Sequence, residues 1–424
     1  MGDPAGGPRG APSAPEGDSR PAAVEHAPVY PFATKAAGYS IVYLLRSLVV
    51  VGGTTFVVTH TLPPGEYGIY TQALKVAAFV GVAASFGMPT RLSSWLVLHP
   101  QGRSRREAFW AALAVSWIVG AVCLALAVPI LGRSYPWLDP SRALPLLLSL
   151  AVAQVAQASL AVIAVQMDWD EDLRGRFGAD LGATASVAAG GWIPLLAGFG
   201  IVWYAAGGAA ATVVVLGVVL LRQARRCPPA SASVRVRSAF RTGAFFGLGN
   251  LAFSGLVVVD HLVLGAREGD AALGIYGTAA SLAAGIGGLT VTLSNFIERH
   301  AFRGGDITPR ALRGPLLFGL LFPPSLALAV AACVPAFFRF VVAEAYHGAA
   351  ACVAPVSALL SLHIVVCLGQ CADYARGHPL RSTWLKLLAF GICAVLNFLL
   401  VPVLSYWGCV AALGVSYLFL AAGM

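Results

Sequence analysis

The sequence predicts an all-α integral membrane protein of about 12 transmembrane helices. They form two six-helix bundles, parallel pseudo-repeats of each other, around a central cavity. Three observations lead there: an apolar composition, apolar tracts of membrane-crossing length, and a phrase that occurs twice. Of 424 residues, 58% are hydrophobic and 11% charged, and the mean hydropathy is +0.77. A soluble domain carries roughly 25% charged residues. Tracts of about 20 apolar residues recur, the length that crosses roughly 30 Å of hydrocarbon as a helix. The alternating strands of about ten residues that mark an outer-membrane barrel are absent.

Taken in order, residues 1–35 are rich in Pro, Gly and Ala and predict a disordered cytoplasmic tail. The tail lacks the charged start, apolar centre and small-residue cleavage site of a signal peptide. Twelve apolar tracts follow, over 36–60, 67–98, 108–131, 143–166, 178–198, 202–221, 242–264, 273–297, 314–338, 350–372, 384–404 and 408–424. The basic stretch "RQARRCPPASASVRVRSAFRTG" divides them into an N-terminal bundle, 36–221, a cytoplasmic linker, 222–241, and a C-terminal bundle, 242–424. The Pro323-Pro324 pair and Pro194 predict kinks in their helices.

The formal charge of +9 does not point to nucleic acid, because the cations sit in short loops between apolar tracts. Arg103, Arg105 and Arg106, and Arg222, Arg225, Arg226, Arg235, Arg237 and Arg241, fall on one side. The loops on the other side hold only Arg133, Arg142, Arg267 and Arg339. This asymmetry puts both termini in the cytoplasm of a multi-pass protein. Abundant Ala, Gly and Arg with three Lys suggests a GC-rich bacterial source, hence the cell (inner) membrane. The eight cysteines lie mostly in apolar tracts without zinc spacing and are read as buried thiols.

The repeated phrase begins "GEYGIYTQA" near Gly68 and Tyr70 and "AALGIYGTA" near Gly274 and Tyr276. Aligning Gly68 with Gly274, an offset of 206, matches Gly68, Ile69, Tyr70, Ala73, Ala77, Ala78 and Gly81 over fourteen positions. Each phrase opens the second helix of its bundle. Six helices per half is an even number, so both halves enter the membrane from the same side. That makes them parallel repeats about an axis along the membrane normal.

Charges inside the apolar tracts are the candidate site residues. Arg46 lies ten residues into the first helix, about 15 Å deep. A central Arg costs about 2.5–3.5 kcal/mol on insertion scales, so it faces a wet cavity or a partner such as Asp180 or Asp260. Lys75 lies roughly 12 Å from the outer face and either lines the cavity or snorkels outward. Arg91, after Pro89, reaches inner headgroups or the mouth of an inward-open cavity. Gln154, Gln157, Asn250 and Asn397, with Tyr43, Tyr70 and Trp117, are candidate sugar partners or helix-packing contacts. Asp260, beside His261, is a candidate proton or sodium coupling site, an interfacial residue in water, or the partner of Arg267. His363 and Asp373 invite the same question.

These residues resemble the polysaccharide flippase (Wzx-type) branch of the multidrug/oligosaccharidyl-lipid/polysaccharide exporter superfamily. The resemblance rests on Glu66-Tyr67-Gly68 with Tyr70 and Gly81 in the first half, and on Asp260, Leu264, Gly265, Gly274 and Tyr276 in the second. It spans about residues 36–424, although relatives often have up to fourteen helices. It implies a flippase that moves polyprenyl-pyrophosphate-linked oligosaccharide to the outer leaflet by alternating access, for cell-surface polysaccharide biosynthesis. Its partners would be that lipid-linked oligosaccharide, membrane lipids and other polysaccharide-assembly proteins, with no nucleic acid. One chain holds both halves of the cavity, so a monomer suffices. Arg46, Lys75 and Arg91 suit the pyrophosphate, since Arg binds phosphate through paired hydrogen bonds.

Rival readings are a cation-coupled small-molecule exporter on the same fold and a peptidoglycan-precursor flippase. From a different class comes a membrane-embedded glycan polymerase or ligase using Asp260, His261, Glu344 and His347. No phosphate-binding GxxxxGK[ST] loop is present, and no cofactor or metal is expected.

Overall fold

The computed structural model describes residues 48–98, 103–134, 140–170, 172–228, 233–303, 309–375 and 379–424, and every regular element among them is helical. A π-helical turn, Leu48–Gly52, leads into α1, Gly53–Thr61. Leu62 and Pro63 are extended, as residues before proline must be. Pro64 then opens α2, Pro64–Ser85, where its fixed φ suits the first turn. The chain breaks again at Phe86 (φ 47°) and Gly87 (φ 66°) before α3, Met88–Leu98. The second tract, expected as one helix, is therefore two. Phe86 occupies a backbone region that costs a non-glycine residue of order 1–3 kcal/mol. Stacking on Phe240 at 4.6 Å helps to hold it there.

Four long helices complete the first half: α4, Arg103–Ser134; α5, Pro140–Trp169; α6, Leu173–Leu196; α7, Ile201–Arg226. α6 and α7 cross at glycines. A Cβ on Gly207 would lie 2.0 Å from the Gly190 carbonyl oxygen, so the backbones touch as small residues allow between membrane helices. The second half starts with α8, Ser233–Arg303, a run of two limbs that meet at Gly269 (φ 84°, ψ 176°). Then come α9, Pro309–Val341; a 3₁₀ turn, Glu344–Ala349; α10, Ala350–Ser361; α11, His363–Ala375; α12, Pro379–Leu404; and α13, Tyr406–Gly423.

Nine stretches among the described residues are long and apolar enough to cross a membrane. One of them, Gly243–Gly285, covers both limbs of α8. α6 and the partly described first helix complete the expected twelve. α7 reaches Arg226 and α8 begins at Ser233, so the expected linker contributes helix at both ends. α9 passes Pro323-Pro324 without a break, whereas the tenth tract is interrupted at Leu362. Cys333 on α9 is exposed and Cys123 and Cys367 are half-buried, which corrects the reading of all cysteines as buried. The described cysteines are all free.

The two halves meet along α2 and the second limb of α8, and they do so symmetrically. A Cβ on Gly68 would lie 1.9 Å from the Asp270 carbonyl oxygen, and one on Gly274 would lie 1.9 Å from that of Pro64. Asp270 is Pro64 plus the offset of 206, just as Gly274 is Gly68 plus the same offset. Thr71 packs on its own counterpart, Gly277. Further in, Gly81 rests on Gln154 of α5, and Gly287 rests on Leu360 of α10, again equivalent pairs. The repeated phrase is thus a self-complementary contact between the bundles. Only glycine lets these backbones come so close.

Candidate functional site

The seam between the halves carries most of the distinctive polar chemistry of the described residues. Around the Gly68–Gly274 contact, the Tyr67 and Ser281 hydroxyls lie 3.3 Å apart. Tyr346, in the 3₁₀ turn, donates to the Leu62 carbonyl oxygen at 3.0 Å. The Ala343 N–H donates to Thr59 Oγ1 at 3.3 Å. Tyr67 lies edge-on to Tyr346, and Tyr70 edge-on to Tyr204. The breaks that start α2 and precede α10 expose the carbonyl and N–H groups used in these bonds. A continuous helix would have consumed them.

One turn deeper lies a buried acid. Asp260 is 1% exposed and His261 0%. Asp260 Oδ1 accepts the His261 backbone N–H and lies 2.7 Å from His261 Nδ1, and Oδ2 accepts the Tyr276 hydroxyl at 2.7 Å. With the ring proton assigned to Nδ1, three donors converge on this one carboxyl group. Lys75 of α2 lies within electrostatic range of Asp260 and His261. Its counterpart in the repeat is Ser281, so the charge belongs to one half alone. Asp260 is therefore neither an interfacial carboxylate in water nor the partner of exposed Arg267.

The polysaccharide biosynthesis protein family model matches residues 57–297, more than half of the chain, including α2 and both limbs of α8 up to residue 297. The chain belongs to that family. No curated protein matches it. Among solved structures, the chain of this polysaccharide biosynthesis protein is similar to a MATE multidrug transporter, DinF-BH, in complex with R6G. Identity is 13% and the TM-score 0.66, over 92% of this chain and 94% of that one. It is similar to the lipid II flippase MurJ in an inward closed conformation at 12% identity and a TM-score of 0.65, over 93% and 86%. An outward-facing MATE family transporter of the MOP superfamily gives 15% and 0.58, over 92% of each chain. At such identity the likeness shows the fold alone, a multi-pass membrane fold of about twelve helices.

The sequence candidates in this polysaccharide biosynthesis protein scatter over the fold. Arg46 and Tyr43 lie outside the described residues. Lys75 is half-buried at the seam. Arg91 lies in α3 with its guanidinium 5.0 Å from the centre of the Trp95 ring. Gln154 is the contact under Gly81, and Gln157, three residues on, is exposed. Asn250 is half-buried on the first limb of α8, next to Gly249, which packs on α12. Trp117 donates to Ser159 on the neighbouring helix at 3.0 Å. Asn397 donates to the Cys393 carbonyl oxygen one turn back at 2.9 Å. Among the described residues, no group of three or more His, Cys, Asp and Glu side chains is placed to hold a metal ion.

Sequence reasoning missed two features. Lys386 of α12, 6% exposed, donates to Gln370 of α11 at 2.9 Å and lies 5.7 Å from the Phe253 ring centre. Its place as the third residue of the apolar tract 384–404 was the available signal. At one end of α4 to α7, ion pairs join Arg105 with Asp170, Arg176 with Asp168 at 3.8 Å and with Asp180 of its own helix at 3.2 Å, and Arg222 and Arg226 with Asp172. Asp180 thus has Arg176 as a partner. At that end burial pushes the Cys227 thiol up, against the pull of Arg105 and Arg106.

Proposed function

We propose that this protein is a flippase that moves polyprenyl-pyrophosphate-linked oligosaccharide across the bacterial inner membrane by alternating access, as a transporter rather than an enzyme. The observation that carries the reading is the self-complementary seam of two parallel half-bundles, in a chain of the polysaccharide biosynthesis family. Tight contact at glycines, with few long side chains to disentangle, suits a contact that opens and closes. The basic residues, Lys75 near the seam and Arg46 and Arg91 on the first two tracts, suit a dianionic pyrophosphate. The prenyl tail stays in lipid, and sugar contacts fall to residues such as Gln154, Gln157 and Asn250. The excess of cations in alternate loops supports cytoplasmic termini, an orientation that turns the glycine contact towards the outer face. A single chain supplies both halves, so a monomer suffices.

The test is leaflet sidedness of a labelled polyprenyl-pyrophosphate oligosaccharide in proteoliposomes, for wild type, Arg46→Ala and Lys75→Ala. Wild type should move the lipid, and each variant should move it at least tenfold more slowly while folding normally. If wild type moves no lipid but expels a cationic dye, the exporter reading replaces this one.

A further inference from the structure

The mechanism above leaves one buried group without a task. His261 is fully buried, and its Nε2 has no hydrogen-bond partner. We assign the ring proton to Nδ1, the tautomer in which Asp260 Oδ1 accepts at 2.7 Å, which leaves a lone pair on the unpartnered Nε2. The ring lies 5.2 Å from that of Tyr276, on a face of α8 shared with Gly265, one turn on, which has Gln72 of α2 3.4 Å from where its Cβ would stand. The groups around the pair are Lys75 and Gln72 from α2, Tyr276 from the second limb of α8, Cys352 from α10, Cys393 from α12 and Cys409 from α13. The Val257 carbonyl, one turn back on α8, also attracts the ring, and none of these groups hydrogen-bonds Nε2.

We propose that His261 Nε2 is the proton-accepting atom of this transporter, and that its protonation releases the contact between α2 and the second limb of α8. Asp260 and Tyr276 are positioning residues that hold the ring through Nδ1. The inference rests on the alternating-access reading of the same seam. In the closed contact, a proton on Nε2 would bury a cation away from water and an N–H with no acceptor, with Asp260 attracting the charge and Lys75 repelling it. Both penalties vanish once the seam parts and water reaches the ring. The proton comes from bulk water and adds to the lone pair. The ring becomes a cation and no other bond breaks. Return of the proton to water restores the neutral ring and permits closure. Asp260 is the poorer acceptor, because protonating it would displace one of three donors.

The experiment is hydrogen–deuterium exchange of the full chain in lipid nanodiscs, without cargo, from about pH 5 to 8, the histidine range. Exchange is followed over residues 61–73 and 268–281, with labelling times corrected for intrinsic rates. In wild type, protection of both segments should fall at least tenfold as pH drops. His261→Gln should abolish that dependence. Lys75→Met should move the fall to higher pH, because removing a neighbouring cation eases protonation, and this outcome decides the matter if His261→Gln does not fold. A flat wild-type response, or a His261→Gln protein that keeps the wild-type slope, overturns the proposal. A purely structural histidine would give that second result: lower protection at every pH with the slope intact. No lipid cargo is present, so failure here leaves the flippase reading standing, and failure to move lipid leaves this result standing.

Discussion

At the scale of the residue, the chain spends its few charges in bonded groups. Tyr276 supplies one of three donors to Asp260. Tyr276→Phe removes it and should cost about 2 kcal/mol, the range for hydrogen bonds to charged groups. A thermal melt in detergent should register that as a lower Tm. An unchanged Tm would mean that the carboxylate finds another donor. Asp172 caps α6 by accepting the Gly175 N–H at 3.0 Å and binds two arginines. Asp172→Ala should cost about 1 kcal/mol, mostly the cap, because pairs to half-exposed arginines contribute little. Exchange at 172–176 should rise while the seam segments stay protected. Asp260–His261 was legible in the sequence as an intramembrane acid. Its bond to Tyr276 was not, because sixteen residues and a turn separate them and only the fold of α8 at Gly269 brings them together.

At the scale of the element, helix ends decide where the halves join. Gly68→Ala drives a methyl into the Asp270 carbonyl, and Gly274→Ala does the same at Pro64. Overpacking of this kind costs about 1–3 kcal/mol. Each variant should expose residues 61–73 to faster exchange. The double variant should fall well short of the summed effect, because both substitutions break one contact. Additive effects would mean the two glycines pack independently. The apolar tracts were readable from hydropathy, and so were the breaks at Pro63-Pro64 and Gly269. The break at Phe86-Gly87 was not, since a phenylalanine in the left-handed region is sustained by Phe240, far along the chain. Element ends ran longer than the apolar tracts because helices such as α4 continue past the hydrocarbon into charged turns.

At the scale of the whole molecule, a few bonds beside the glycine contact hold the two halves together. Tyr346→Phe deletes the bond to Leu62, which joins residues 284 apart. A loss of about 1 kcal/mol shifts a closed-to-open ratio roughly fivefold. Single-molecule distances between labels at exposed Glu66 and Ala271 should show a larger open fraction, and an unchanged distribution would show that this bond does not bias the equilibrium. The twofold arrangement itself was legible, because a duplicated phrase at equivalent boundaries announces it. Lys386 escaped notice because its partners Gln370 and Phe253 come from other helices, and no periodicity in its own tract reveals them.

The glycine contact has the form of a homodimer interface carried inside one chain. Two identical subunits meeting through this patch would have to match every cation on one side with the same cation on the other. Here the gene encodes both sides, so they are free to differ, and they do: lysine at position 75 answers to serine at 281. A joined pair can place a lone positive charge against a lone acid, Asp260, where a symmetric dimer would present two of each. The chain keeps the self-fitting shape of a dimer and gains the electrical polarity that a dimer cannot have.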